Sequence, residues 1–146
     1  MLHTSCLEIS TGAYFQNIEF IRSRIGTGPT ISSVVKGNAY GHGIAQMVTI
    51  AEKAGIHHFS TFCSDEAWEV LENSSQKNEV MIMGVLHPEE IPDLIRNGIQ
   101  FYAFGFERLE HAIETAKTLG LKAQIHVQVE TGFEWAERKK LLKILH

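Results

Sequence analysis

Two hydrophobic patterns alternate along this chain: apolar residues at three- and four-residue steps in one stretch, then a short β-branched or aromatic run in the next. Ser10 or Thr11 can cap a first helix carrying Phe15, Ile18, Ile21 and Ile25, which Gly26 and Gly28 stop ahead of Pro29. Residues 31–35 then read as a buried strand, 44–54 as a helix ending at Gly55, and 58–62 as a second strand. Ser64 is placed to cap the next helix, with Asp65 and Glu66 in its first turn, where carboxylates favour the helix dipole. A third strand is expected over 80–83. His87-Pro88-Glu89-Glu90 carries proline and two acids at a helix start. A fourth strand over 100–104, a helix over 107–119 closed by Gly120, a fifth strand over 123–129 and a last helix over 135–146 complete the reading.

Strands alternating with helices require parallel pairing and right-handed crossovers. Two α/β architectures satisfy that. Five strands suffice for an open, doubly wound parallel sheet but are three short of a closed (β/α)8 barrel, which typically takes about 250 residues. At 146 residues, length alone favours the open sheet. With 44% hydrophobic and 21% charged residues and no linker or low-complexity stretch, residues 1–146 read as one globular domain. A net charge of -4 argues against a general nucleic-acid or anionic-membrane surface and leaves a small-molecule site as the better expectation. There is no signal-like start and no apolar run near the ~18 residues of a membrane span, so a cytoplasmic protein is expected. Cys6 and Cys63 read as reduced thiols rather than a disulfide framework.

Candidate chemistry concentrates in residues 34–43, Val-Val-Lys-Gly-Asn-Ala-Tyr-Gly-His-Gly, which set Lys36 at the carboxyl end of the first strand. In either architecture, ligands bind at that end. Gly41-His42-Gly43-Ile44-Ala45-Gln46 has glutamine where a dinucleotide fingerprint needs its third glycine, and no P-loop is present. Taken bare, Lys36 would be a solvated strand-end lysine.

The segment is similar, nearly letter for letter, to the pyridoxal-phosphate attachment motif of alanine racemases, the fold-type III family in which this lysine closes the first barrel strand. The resemblance extends to Glu8-Ile9, the helix through Asn17, Thr61-Phe62 with Glu66 and Ala67, and residues 129–132. It implies an incomplete TIM-type barrel of about five βα units, the amino-terminal part of a pyridoxal-phosphate-binding domain, with the carboxyl-terminal β domain absent. It also implies a homodimeric enzyme that interconverts L- and D-alanine for bacterial cell-wall synthesis. Lys36 would hold the cofactor and act as base or acid on the D-alanine face. Such an amine needs a site that lowers its proton affinity, by desolvation or a nearby cation. Tyr40 would turn its hydroxyl to the cofactor phosphate, unless it is only a packed rim aromatic, and Asn38 and His42 would shape the turn.

The resemblance also has breaks. The family carries a lysine after its fifth strand, which becomes carbamylated and orients an arginine that meets the substrate carboxylate; here Gln128 takes the lysine's place. Aligned without a gap, Trp135 stands at the arginine; with a short deletion, Gly132-Phe133 becomes the later Gly-Phe pair and the arginine loop is missing. Either alignment removes a bidentate carboxylate clamp. An inactive remnant, or a weak cofactor-binding or association module, is therefore the alternative to a racemase.

The remaining features carry less chemistry. Eight histidines lack metal-ligand spacing, so no metal is expected. Glu107, Glu110 and Glu114 read as a solvated helix face, and the basic residues of 138–143 as the end of an outer helix.

Overall fold

Ser10 opens the first element. Its Oγ accepts from the Ala13 N–H at 3.2 Å, and helix α1 (Thr11–Ile25) runs until Gly26, whose φ of 73° turns the chain away. In this computed structural model, which describes residues 5–128, the expected alternation follows: β1 (Ser32–Val34), a helical turn α2 (Lys36–Tyr40), α3 (Ile44–Lys53), β2 (His58–Thr61), α4 (Ser64–Glu72) and β3 (Glu79–Ile82). A 3-10 turn (Pro88–Glu90) leads into α5 (Ile91–Arg96), and β4 (Gln100–Ala103), α6 (Phe106–Leu119) and β5 (Ile125–Val127) follow. The expected helix over 135–146 and the run 129–132 lie outside the described residues.

Strand order decides between the two architectures. All five strands are parallel and lie in the order β1-β2-β3-β4-β5, with Ser32 beside His58 and His58 beside Glu79. A doubly wound sheet reverses its order at a switch point so that helices cover both faces. Here each strand joins on the same side of the last, as in a barrel wound in one sense. The open doubly wound alternative that length favoured is thereby corrected: the described residues form five successive parallel strands of a barrel wall, with helices following the first four.

One face of the sheet is dry. Phe59, Val80, Ile82 and Phe101 are buried against Ile44, Val48 and Ala51 of α3, Ala67 and Val70 of α4, Leu94 and Ile95 of α5, and Ala112 and Ala116 of α6. The inner face is more polar than the branched aliphatic layers usual in a barrel. Ser32 Oγ lies 2.8 Å from His58 Nδ1 and 2.6 Å from Ser60 Oγ. Gln100 donates to Glu79 Oε2 at 2.9 Å and accepts from His126 Nε2 at 2.7 Å.

Two local expectations need correction. Cys63, not Ser64, occupies the N-cap of α4, and Ser64 Oγ instead donates to the Glu90 carboxylate across to the next βα unit. The helix expected at His87 begins as the 3-10 turn, which Glu90 closes by accepting from the His87 N–H at 2.7 Å; regular α-helix starts only at Ile91.

Candidate functional site

The chain leaves β1 through a left-handed turn. Gly37, Asn38, Ala39 and Tyr40 have φ of 62°, 52°, 52° and 55°, and all four lie in the left-handed helical region. For L-residues that conformation costs about 1–2 kcal/mol each, and Asn38 tolerates it better than Ala39 or Tyr40. Backbone bonds close the turn from Ala39 N–H to Val35 O at 2.7 Å and from Gly41 N–H to Gly37 O at 3.1 Å. Gly41 and Gly43, with φ of 89° and 91°, then let the chain enter α3.

Asn38 and His42 work within this turn. Asn38 Oδ1 accepts from the Ile44 N–H at 3.0 Å, at the start of α3, and His42 Nδ1 donates to Ala39 O at 2.7 Å. A third side chain reaches the turn from α4. Glu66 Oε1 accepts from the N–H groups of Gly37 at 2.6 Å and Asn38 at 3.3 Å, and its Oε2 accepts from the Phe62 N–H at 2.8 Å. In the sequence, Glu66 is only a carboxylate favouring a helix dipole and a point of family resemblance. Nothing local signals a bond to a turn 29 residues earlier.

Lys36 is half-buried and lines a cleft of about 860 Å³ at the carboxyl ends of the strands. Phe62, Met83, Tyr102 and Phe104 give that cleft aromatic and thioether walls, and Gln128 lines it from just beyond β5. Tyr40 is brought near in sequence only. It is 63% exposed and does not line the cleft, and its hydroxyl has no hydrogen-bond partner among the described residues. Trp135 and residues 132–133 lie outside the described residues.

Arg108 braces the far wall. Its guanidinium donates to Tyr102 O at 3.3 Å and Gly84 O at 3.4 Å and sits 5.3 Å from the centre of the Phe104 ring, a cation–π contact. Burial lowers its pKa from the ordinary arginine value. Gly84 is needed where it is: a Cβ there would stand 2.3 Å from the carbonyl oxygen of Phe62.

A second cleft of about 460 Å³ lies at the opposite ends of the strands, lined by Arg22, Ile31, His58 and Glu79 among others. In barrels that end serves stability, while ligands bind at the carboxyl ends. Among the described residues no three His, Cys, Asp or Glu side chains gather to hold a metal, and no helix is long and apolar enough to cross a membrane.

Residues 9–145 match the family model "Alanine racemase, N-terminal domain". The chain belongs to that family. It is 30% identical over 125 residues to an alanine racemase of Desulforamulus reducens, covering 86% of this chain and 34% of that protein. It is 36% identical over 129 residues to an amino-acid racemase of Enterococcus faecalis, covering 86% of this chain and 17% of that protein. Among solved structures, the alanine racemase from E. faecalis superposes with a TM-score of 0.78 at 28% identity, over 88% of this chain and 34% of the other. A histidine racemase from Leuconostoc mesenteroides superposes at 0.76 with 21% identity, over 86% of this chain and 33% of the other, which shows the shared fold. The chain spans about a third of the length of several alanine racemases it matches.

Proposed function

We propose that residues 1–146 correspond to the amino-terminal, lysine-bearing part of a pyridoxal-phosphate-dependent racemase barrel, and that the activity they serve is interconversion of L- and D-alanine. One observation carries this reading: in a chain of this family, Lys36 leaves the first strand into a cleft at the carboxyl ends of the sheet. A cytoplasmic homodimer supplying D-alanine for peptidoglycan is the setting that the racemase reading entails.

The residues present suit the ring end of the cofactor. The cleft lies within the roughly 300–1,000 Å³ usual for small-molecule sites. Its aromatic and apolar walls can face a flat heterocycle, and Lys36 is an amine able to bond to an aldehyde. Tyr40, exposed at the outer end of the turn, would reach the phosphate with its hydroxyl, which has no hydrogen-bond partner among the described residues. Bound pyridoxal phosphate supplies an electron sink for the negative charge left when an amino acid loses its α-proton. The chain's own part is to hold that group through Lys36, to carry a proton on the Lys36 amine at one face of the substrate, and to keep water from that face with Phe62, Met83 and Tyr102.

Gln128 favours a second reading. By the resemblance, the neutral amide of Gln128, which lines the cleft, takes the place of the family's carbamylated lysine, so the chain could hold the cofactor without turning substrate over. Absorbance titration of the protein with pyridoxal phosphate separates these readings when combined with an assay for D-alanine. A band that appears with the wild type and is lost in Lys36→Ala, together with D-alanine formation, is expected for the racemase. A band without turnover favours the second reading, and no band contradicts both.

A further inference from the structure

Lys36 is bracketed by two peptide groups, and both are bonded to the second βα unit. On its amino side the Val35 N–H donates to Ser60 O of β2 at 2.8 Å; on its carboxyl side the Gly37 N–H donates to Glu66 Oε1 of α4 at 2.6 Å. The first bond is ordinary sheet pairing. The second exists only because the left-handed turn points the successive N–H groups of Gly37 and Asn38 the same way, forming a small anion-binding concavity. The anion in it is the protein's own carboxylate. The other oxygen of Glu66 accepts from the Phe62 N–H, so one side chain ties the end of β1 to the end of β2 through three charge-assisted bonds.

From this geometry we infer that Glu66 is the positioning residue for Lys36: it holds the strained turn in its left-handed form and thereby fixes the direction in which the lysine enters the cleft. Glu66 does not itself line the cleft, so its effect passes through the backbone. Three non-glycine residues with φ near +50° persist only where surrounding bonds over-determine them, and strain of this kind gathers at functional sites. Without the carboxylate, the Gly37 and Asn38 N–H groups lose their acceptor and the turn is free to relax. Glutamine at 66 keeps the size but can satisfy only one side, because its amide nitrogen would face an N–H donor.

The consequence for cofactor attachment rests on the function proposed above, so the test reads the turn with and without cofactor. In the 146-residue protein, backbone amide exchange of Gly37, Asn38 and Phe62 should quicken about tenfold or more in Glu66→Ala and less in Glu66→Gln, while Ile82 and Phe101 amides stay protected. Acetylation of Lys36, mapped by mass spectrometry, should rise toward that of the exposed Lys53. Borohydride trapping of pyridoxal phosphate on Lys36 should slow about ten- to a hundredfold in Glu66→Ala, with Glu66→Gln between that variant and wild type. If Glu66→Ala does not fold, Glu66→Gln decides. Unchanged exchange at Gly37 and Asn38 overturns the inference, and so does faster exchange with unchanged Lys36 acetylation and trapping. If wild type traps no cofactor, the proposed function fails, while exchange and acetylation still decide the role of Glu66.

Discussion

The two ends of the sheet are built from similar side chains put to different uses. Toward the amino ends of the strands, Ser32, His58 and Ser60 form one hydrogen-bonded chain and Glu79, Gln100 and His126 form another. At the carboxyl ends, the side chains of Lys36, Tyr40, Tyr102 and Gln128 make no hydrogen bond among the described residues, although the backbone beneath them is tightly bonded. Polar groups that satisfy one another stabilise; polar groups held in place yet left without partners are available to a ligand. The same sheet therefore separates an end whose polar side chains pair with one another from an end whose polar side chains are open to a ligand, the division expected of a barrel wall.

That contrast can be broken from the middle. Phe101 is fully buried on the helical side of β4, beneath both ends, and Phe101→Ala should cost about 3–5 kcal/mol in urea unfolding and weaken cofactor trapping at Lys36 along with it. Gln100→Ala is a more selective cut. It removes the bonds to Glu79 and His126, whose exposed side chains can turn to water instead, and should cost about 0.5–1.5 kcal/mol, with Lys36 trapping unchanged. A loss of trapping in a folded Gln100→Ala protein would show that the two ends are coupled, against the separation argued above.

The smallest effect is a pH dependence set behind both ends. Burial pushes the Glu52 carboxyl upward, but bonds donated by Ser75 Oγ, Asn78 Nδ2 and the Ser75 N–H outweigh it and hold the group below the ordinary carboxylate value of 4.5. A carboxyl depressed on folding contributes stability that is fully present above its unfolded value and is lost as pH falls through its folded one. The stability difference between wild type and Glu52→Gln should therefore be present at neutral pH and shrink below 4.5, with trapping at Lys36 unaffected when the two are compared at neutral pH. A difference that stays constant with pH would contradict the assignment.

Much of this was legible in the order of residues because the controlling signals are local. Ser10, Gly26 and Gly120 mark helix ends by their own chemistry, and the buried halves of β2, β3 and β4 show as short apolar runs. What was not legible depends on residues far apart in sequence. The choice of barrel wall over doubly wound sheet lies in strand order, which no strand records about itself. Ser64 looked like a cap because serine before two acids usually is one, yet Glu90 of another βα unit claims its hydroxyl. Lys36 stood out through its neighbours, but the left-handed path of Asn38, Ala39 and Tyr40 did not, since two of those residues ordinarily avoid it. Glu66 was in view as an acid in a helix's first turn, and only the fold shows that it grips the turn after Lys36.

On the proposed function, cofactor attachment belongs to one lysine at the carboxyl end of β1. Trapping pyridoxal phosphate with borohydride on the native protein and mapping the modified peptides tests it most directly. The structure predicts label at Lys36 well above that at the exposed Lys53, and loss of that preference when the protein is first unfolded in urea. Label spread over the lysines according to their exposure, or a pattern the same in folded and unfolded protein, would contradict it.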